Sequence, residues 1–485
     1  LIWYVLRRKF FTNLSLLLLL NLLIKPFWIF GIDRTVQNIV GAEEYGLYFS
    51  LFNFSLLLNM VLDFGITNYN NRNIAQNNEI LSKSLSNIIG LKLLLAIVYA
   101  LVTILAGFII GYSWRQFYIL VFLIINQFMA SFILYLRSNL SGLHLFKTDS
   151  IISVLDRSLM IVICGVLLWG GVTSSVFKIE WFVYAQTFAY MITLIITLIL
   201  VYSNAESVKL HFGRTYFIAI LKRSYPYALL ALLMIFYYRV DSVMLERMLP
   251  DGKKQAGIYA QGFRILDAAS MFAFLFAVLL LPIYSRMIQQ RESVNQLTVF
   301  SFILLIVPVV GVTSASYFYN QEIIDLLYHQ HVGVSSEVFG VLILCFLGIA
   351  SSYIFGTLLT ANGNLKDLNI LAAFGVGINI ILNLILIPKY YALGSAIASL
   401  ITQSVIAVAQ MIRAKQIFGF NFNLKRIGAL VAFVAIVFLL AKFSVDLQIN
   451  WIPKFFGILL LSFVLSFVFR LINLRVLYRL LKNEE

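Results

Sequence analysis

Charge is scarce in this chain: Asp, Glu, Lys and Arg make up 12% of its 485 residues, where a soluble domain carries about 25%. With 61% hydrophobic residues and a mean hydropathy of +0.93, a water-soluble fold is excluded. Cysteine is nearly absent. The two present, Cys164 and Cys345, fall in separate apolar runs, which excludes a disulfide framework and a thiolate metal site. Long polar segments are missing too: the longest non-membrane stretches, near 69–86, 204–223 and 319–336, hold no separate globular domain. A Walker loop, a Gly-rich nucleotide fingerprint and a nucleophile elbow are all lacking, so ATP-driven pumping by this chain alone is not expected. The outer stretch near 319–336 offers Glu322, Asp325, His329 and His331. That is too little for the extramembrane domain of a polysaccharide polymerase or glycosyltransferase, and two histidines are too few for a metal.

What fills the chain is apolar sequence long enough to cross a bilayer, about 18 residues or more per run. About fourteen spans are expected, near 12–34, 45–68, 87–111, 114–137, 149–170, 178–203, 224–247, 256–286, 297–318, 337–361, 368–388, 390–412, 427–444 and 453–474. With the N-terminus inside, inner segments hold 24 of the 36 Lys and Arg, counting Lys92 and Arg157 with the adjoining inner loops. Outer loops hold nine, and Lys25, Arg239 and Arg264 lie within spans. The asymmetry predicts cytoplasmic termini and accounts for the net charge of +15 without a nucleic acid partner. The basic ends, Arg7-Arg8-Lys9 and Arg470 to Lys482, are expected to touch anionic lipid heads. The chain opens on Leu1, as expected of a missing start or a non-standard start codon.

The sequence also repeats itself. Ile29-Phe30-Gly31-Ile32-Asp33-Arg34 followed by Glu44-Tyr45-Gly46-Leu47-Tyr48 resembles Ile235-Phe236-Tyr237-Tyr238-Arg239-Val240-Asp241 followed by Gln255-Ala256-Gly257-Ile258-Tyr259. Ser141-Gly142-Leu143-His144-Leu145-Phe146-Lys147 likewise resembles Ala361-Asn362-Gly363-Asn364-Leu365-Lys366. The register advances six spans, an even number that preserves orientation, so the halves are expected to be parallel repeats. They would be an N-terminal bundle at 1–203 and a C-terminal bundle at 204–417 around a central cavity, with two extra helices and a tail at 418–485.

Gly41-Ala42-Glu43-Glu44-Tyr45-Gly46-Leu47-Tyr48, Asp63-Phe64-Gly65 with Asn70-Asn71-Arg72-Asn73, and the loop Gly142 to Lys147 resemble the polysaccharide transporter (O-antigen flippase) branch of the multidrug, oligosaccharidyl-lipid and polysaccharide exporter superfamily. The resemblance in layout covers essentially the whole chain. It implies two six-helix bundles forming a V, and transport of polyprenyl-pyrophosphate-linked sugar repeat units from the inner to the outer leaflet. In related branches the cargo is a drug or a peptidoglycan precursor.

Ionisable residues inside spans cost about 2.5 to 3.5 kcal/mol each near a helix centre, and so point to function. At about 1.5 Å per residue, Lys25, Arg239 and Arg264 all lie some 12 to 14 Å below the outer surface. If they line a cavity they suit a lipid pyrophosphate, because Arg presents a fork matched to phosphate oxygens. The alternative is structural: Arg264 pairs with Asp267 three positions on, and Lys25 snorkels. Asp241 and Asp267 are candidates for carrying a coupling proton or Na⁺. Pro26 removes a backbone donor beside Lys25 and should kink the first span, whereas Pro282 and Pro308 are assigned to packing. Asp63 is expected to act as a gate or anchor with Arg72 or Arg137. Asn379, Asn383 and Gln127 offer partners to sugar hydroxyls, although helix–helix hydrogen bonding is the commoner use of such residues.

The expected protein is therefore a non-enzymatic flippase, multi-pass in the bacterial inner membrane, monomeric, and coupled as an antiporter to an ion gradient. It would use no cofactor beyond H⁺ or Na⁺ and serve O-antigen or lipopolysaccharide assembly beside other polysaccharide assembly proteins. A cation-coupled multidrug exporter is the nearest alternative; its cavity would be acidic and aromatic, whereas the buried excess here is cationic.

Overall fold

The computed structural model describes residues 19–67, 70, 81–143, 145–172, 175–204, 214–420 and 424–471, and only helices, turns and bends occur among them. Among the described residues, eleven helices are long and apolar enough to cross a membrane. One of these, Leu365–Phe418, is two helices that meet at Tyr391 (φ 53°). Two further helical arms, 19–40 and 42–57, meet at Gly41 (φ 85°, ψ 168°). The segments accordingly follow the expected series of spans.

In chain order they are α1 (19–40, with a π-helical turn at Trp28–Asp33), α2 (42–57), α3 (Leu81–Ile110), α4 (Trp114–Gly142), α5 (Phe146–Trp169), α6 (Ile179–Tyr202) and α7 (Arg214–Met248). Then come α8 (Gly252–Gln289), α9 (Asn295–Phe318), a short helix Asn320–Leu327, α10 (Val332–Ala361), α11 (365–390), α12 (392–418), α13 (Leu424–Val445) and α14 (Trp451–Val468). The first outer connection, expected as a loop of some ten residues, is a single left-handed glycine, and Glu44 stands in the first turn of α2. There Arg115 Nη1 donates to Glu44 (2.8 Å) and Nη2 to Glu180 (2.8 Å), tying together the first turns of α2, α4 and α6.

The chain falls into two compact units, Leu1–Gly257 and Ile258–Glu485. In the first, α4 is the central post, packed on α2, α3, α5 and α6. Its start is fixed by a capping box, with Ser113 N–H donating to Gln116 Oε1 (2.8 Å). α3 shows how lipid shapes sequence. Ile97, Leu101, Leu105 and Ile109 form an exposed stripe, while Lys92, Tyr99 and Thr103 turn inward. α7, which the repeat places at the head of the second bundle, has its contacts in this first unit.

The reason lies in the repeated Gly-x-Tyr motif. A Cβ on Gly46 would lie 1.8 Å from Lys253 O, and one on Gly257 would lie 1.9 Å from Ala42 O. Each glycine thus sits on the carbonyl four residues before the other, a reciprocal crossing. Only hydrogen fits on either side, so the backbones approach to Cα–H···O range. Side chains stitch the same region: Gln37 Nε2 donates to Gly257 O (3.0 Å), Asn53 Nδ2 to Ser242 Oγ (2.8 Å) and Gln116 Nε2 to the buried Glu246 (2.9 Å). Arg247 completes the set, donating to Glu246 (2.6 Å) and Gly111 O (3.2 Å) above the Tyr112 ring. Burial holds the Tyr112 phenol well above its ordinary pKa, so it remains neutral beneath the guanidinium.

In the second unit α10 is the buried post, with α9 and α11–α12 against it and α13 and α14 on α9. α11 follows Pro388 into the break at Tyr391. A Cβ on Gly394 would meet Leu386 O at 2.3 Å, so only glycine permits so tight a return. Asn379 and Asn383 are fully buried, and Ser395 Oγ donates across the break to Asn383 Oδ1 (2.7 Å). In the first unit Gln127 is likewise occupied between Asn59 and Ser55. These polar groups join helices, as is common in membrane interiors.

Candidate functional site

Lys25 lies on α1 just before the π-helical turn, and Pro26 follows it. Pro26 cannot donate to the preceding turn, and after it the ladder widens, with Arg34 N–H reaching Ile29 O. A wide turn exposes carbonyls and re-aims side chains, and it aims α1 at α5. Asn21 Nδ2 donates to Ser153 Oγ (3.1 Å), and one turn on, Lys25 lies within electrostatic reach of Arg157, Asp156 and Arg137.

Arg157, expected beside an inner loop, stands eleven residues into α5, about 16 Å along the axis from Phe146. Its guanidinium lies 5.5 Å from the Trp28 ring and 5.9 Å from the Tyr190 ring, and Nη2 donates to Tyr190 Oη (3.3 Å). Two aromatic faces hold a planar cation without quenching its charge. Asp156 Oδ2 is 3.6 Å from Arg157 Nε, and Arg137 Nε donates to Asp149 (2.7 Å). Lys25, Arg137 and Arg157 therefore outnumber Asp149 and Asp156 by one positive charge; the three cations are half-buried, Lys25 and Arg157 well inside their helices and the Arg137–Asp149 pair near the helix ends. An excess cation in low dielectric favours an anionic guest.

Arg239 is half-buried on α7, with its guanidinium 5.2 Å from the Tyr238 ring, and Asp241 is fully buried beyond it. Arg264 and Asp267 belong to the second unit, half-buried on α8.

Of the two partners expected for Asp63, Arg72 lies outside the described residues and Arg137 is held by Asp149; among the described residues Lys92 pairs with Asp63 (2.6 Å). Lys92, also expected beside an inner loop, is on α3 and 2% exposed. The local backbone explains the pairing. After α2 the chain tightens into a 3-10 turn at Asn59–Leu62 and then reverses through Phe64 (φ 45°) and Gly65 (φ 78°), freeing carbonyls in a water-poor setting. Lys92 Nζ meets that need, donating to Leu62 O (3.0 Å) and Ser131 Oγ (3.0 Å) as well as to Asp63. A charged residue five positions inside a span was the available signal. Replacing Lys92 with Met should cost about 3 kcal/mol, the low end for breaking a buried ion pair because Asp63 keeps some exposure. Thermal unfolding in detergent tests this, and an unchanged midpoint would show that the pair is dispensable. The basic clusters Arg7-Arg8-Lys9 and the tail beyond Leu471 also lie outside the described residues.

The chain is similar to lipid II flippase MurJ in an inward closed conformation, with a TM-score of 0.63 at 16% identity over 99% of both chains. It is also similar to an outward-facing multidrug resistance MATE family transporter of the MOP superfamily, with a TM-score of 0.58 at 15% identity over 84% of this chain and 95% of that one. A MOP superfamily transporter from Pyrococcus furiosus gives a TM-score of 0.60 at 15% identity, over 84% and 95%. An uncharacterized membrane protein of Methanocaldococcus jannaschii is 24% identical over 405 residues, 78% of this chain and 92% of that protein. These likenesses fix the fold as that of the MurJ and MATE proteins. Residues 12–289 match the family described as polysaccharide biosynthesis protein, and with more than half its length in that match, the chain belongs to the polysaccharide biosynthesis protein family.

Proposed function

We propose that this protein is a flippase that moves polyprenyl-pyrophosphate-linked oligosaccharide repeat units from the inner to the outer leaflet by alternating access. The observation that carries the reading is the excess positive charge of the half-buried Lys25, Arg137 and Arg157. A pyrophosphate supplies several anionic oxygens to such a cluster, and guanidinium forks bind them with direction as well as charge. Family membership and the likeness to a lipid II flippase support the same class of cargo.

In this reading Arg239 and Arg264 join Lys25 as cargo-binding cations, and Asp241 and Asp267 carry the coupling H⁺ or Na⁺. Bundles at 1–203 and 204–417 rock to change access, and no bond in the cargo is made or broken. The protein acts as a monomer in the bacterial inner membrane with both termini cytoplasmic. It is an antiporter serving O-antigen or lipopolysaccharide assembly. The test is a proteoliposome assay of fluorescent lipid-linked oligosaccharide crossing between leaflets. The wild type should move it, and the Arg239→Ala/Arg264→Ala double variant should not, at unchanged expression and folding. Wild-type rates in that variant would remove both residues from the site. Export of a cationic drug with no movement of the lipid cargo would refute the flippase reading.

A further inference from the structure

At one end of the second unit, the first turns of α11 and the last turns of α12 enclose an open groove of about 320 Å³. Its walls are aliphatic, with Ile370, Leu371 and Ile412 along it; Ile370 and Ile412 are 58% and 51% exposed. In a membrane helix such residues face acyl chains. The head of the groove is polar and fixed. Arg413 Nε donates to Asp367 (3.0 Å), Nη2 lies 3.0 Å from the same carboxylate oxygen, and Nη1 donates to Gln416 Oε1 (3.1 Å). Asn364 Nδ2 also donates to Asp367 (3.3 Å).

A cation and an anion held side by side at the mouth of an aliphatic groove complement a headgroup that carries both charges. We propose that the groove binds a zwitterionic aminophospholipid. The lipid phosphate accepts from Arg413, its primary ammonium donates to Asp367, and one acyl chain lies along Ile370, Leu371 and Ile412. The chemistry sets a selectivity. Phosphatidylcholine has no N–H to donate, and phosphatidylglycerol offers Asp367 no cation. The exposed Arg413–Asp367 pair would contribute little in water, but as a receptor for a complementary headgroup it has a use. This inference stands apart from the transport reading, since the groove shares no residue with the cationic cluster of the first unit.

The experiment is native mass spectrometry of the full chain, delipidated and offered equal amounts of phosphatidylethanolamine, phosphatidylcholine and phosphatidylglycerol with matched chains. The wild type should retain phosphatidylethanolamine about tenfold over each of the others, the value of one charge-assisted hydrogen bond. Asp367→Asn should abolish the preference. Ile370→Trp fills the groove from an exposed position without touching the ion pair. It should lower retention at an unchanged melting temperature, which keeps the test valid if Asp367→Asn folds poorly. Equal retention of the three lipids by the wild type, a preference for phosphatidylglycerol, or undiminished retention by Ile370→Trp would each overturn the proposal.

Discussion

Gly46→Ala and Gly257→Ala should each destabilise the protein by about 3 kcal/mol, the upper end for overpacking a close-packed interior. The obstacle at each site explains the size of the effect. A methyl group on Gly46 would overlap Lys253 O, and one on Gly257 would overlap Ala42 O, at 1.8 and 1.9 Å. Neither can rotate aside as a side chain would, so the helices must separate. Separation loosens Gln37 from Gly257 O and strains Gln116 against Glu246. Leucine at either position should leave no folded protein at all. Gly377→Ala on α11 is the control: nothing lies within 4 Å of its added carbon, so helix propensity should favour alanine by up to about 1 kcal/mol. Because both substitutions act on one crossing, the double variant should lose less than the sum of the two. Thermal unfolding of the three single variants and the double variant would settle the matter. A Gly46→Ala protein as stable as the Gly377→Ala control would disprove the reciprocal contact.

Arg157→Gln should slow cargo translocation about 10- to 100-fold, because a hydrogen bond to a charged group is worth about 1.5 to 3 kcal/mol. Stability should fall by the lost aromatic contacts with Trp28 and Tyr190, about 1 to 2 kcal/mol, and further by the loss of the Asp156 ion pair. Lys25→Gln should slow transport comparably at no cost to folding, since it relieves repulsion from Arg157 and Arg137. The conservative exchanges separate binding from packing. Lys25→Arg should retain activity, whereas Arg157→Lys should not, since lysine offers neither the fork nor the flat face for stacking. Leaflet-crossing rates alongside melting temperatures make the comparison. Transport by Arg157→Lys equal to wild type would mean that charge alone matters at this position.

Some of this architecture was open to inspection before coordinates, and the reasons differ by feature. Spans are legible because a bilayer imposes their length and apolarity. The two glycines stood out as a repeat, since both backbones must make the same close approach and both therefore keep the same residue. Their meeting one another was not legible, because a repeat records resemblance and not contact. The loop expected before Glu44 shrank to Gly41, for hydropathy locates the polar rim of a span but not the one backbone position that turns. Lys92 and Arg157 were lost for a related reason. Each lies within a few turns of an inner span end, where a basic residue is ordinary, and only the neighbours Asp63, Trp28 and Tyr190 show that it points inward. Asp63 is legible as an anchor residue, but its partner Lys92 sits on a helix 29 residues away in sequence, a distance no local pattern bridges.

The most direct test of the cationic cluster is binding of cargo headgroups to the purified protein. Affinity should be compared for a polyprenyl diphosphate, the corresponding monophosphate and the uncharged prenyl alcohol, in wild type and in Lys25→Gln/Arg157→Gln. Affinity should fall in that order for the wild type, weaken with added salt, and become nearly independent of headgroup in the double variant. Equal affinity of the wild type for the diphosphate and the alcohol would contradict an anion site in the membrane core.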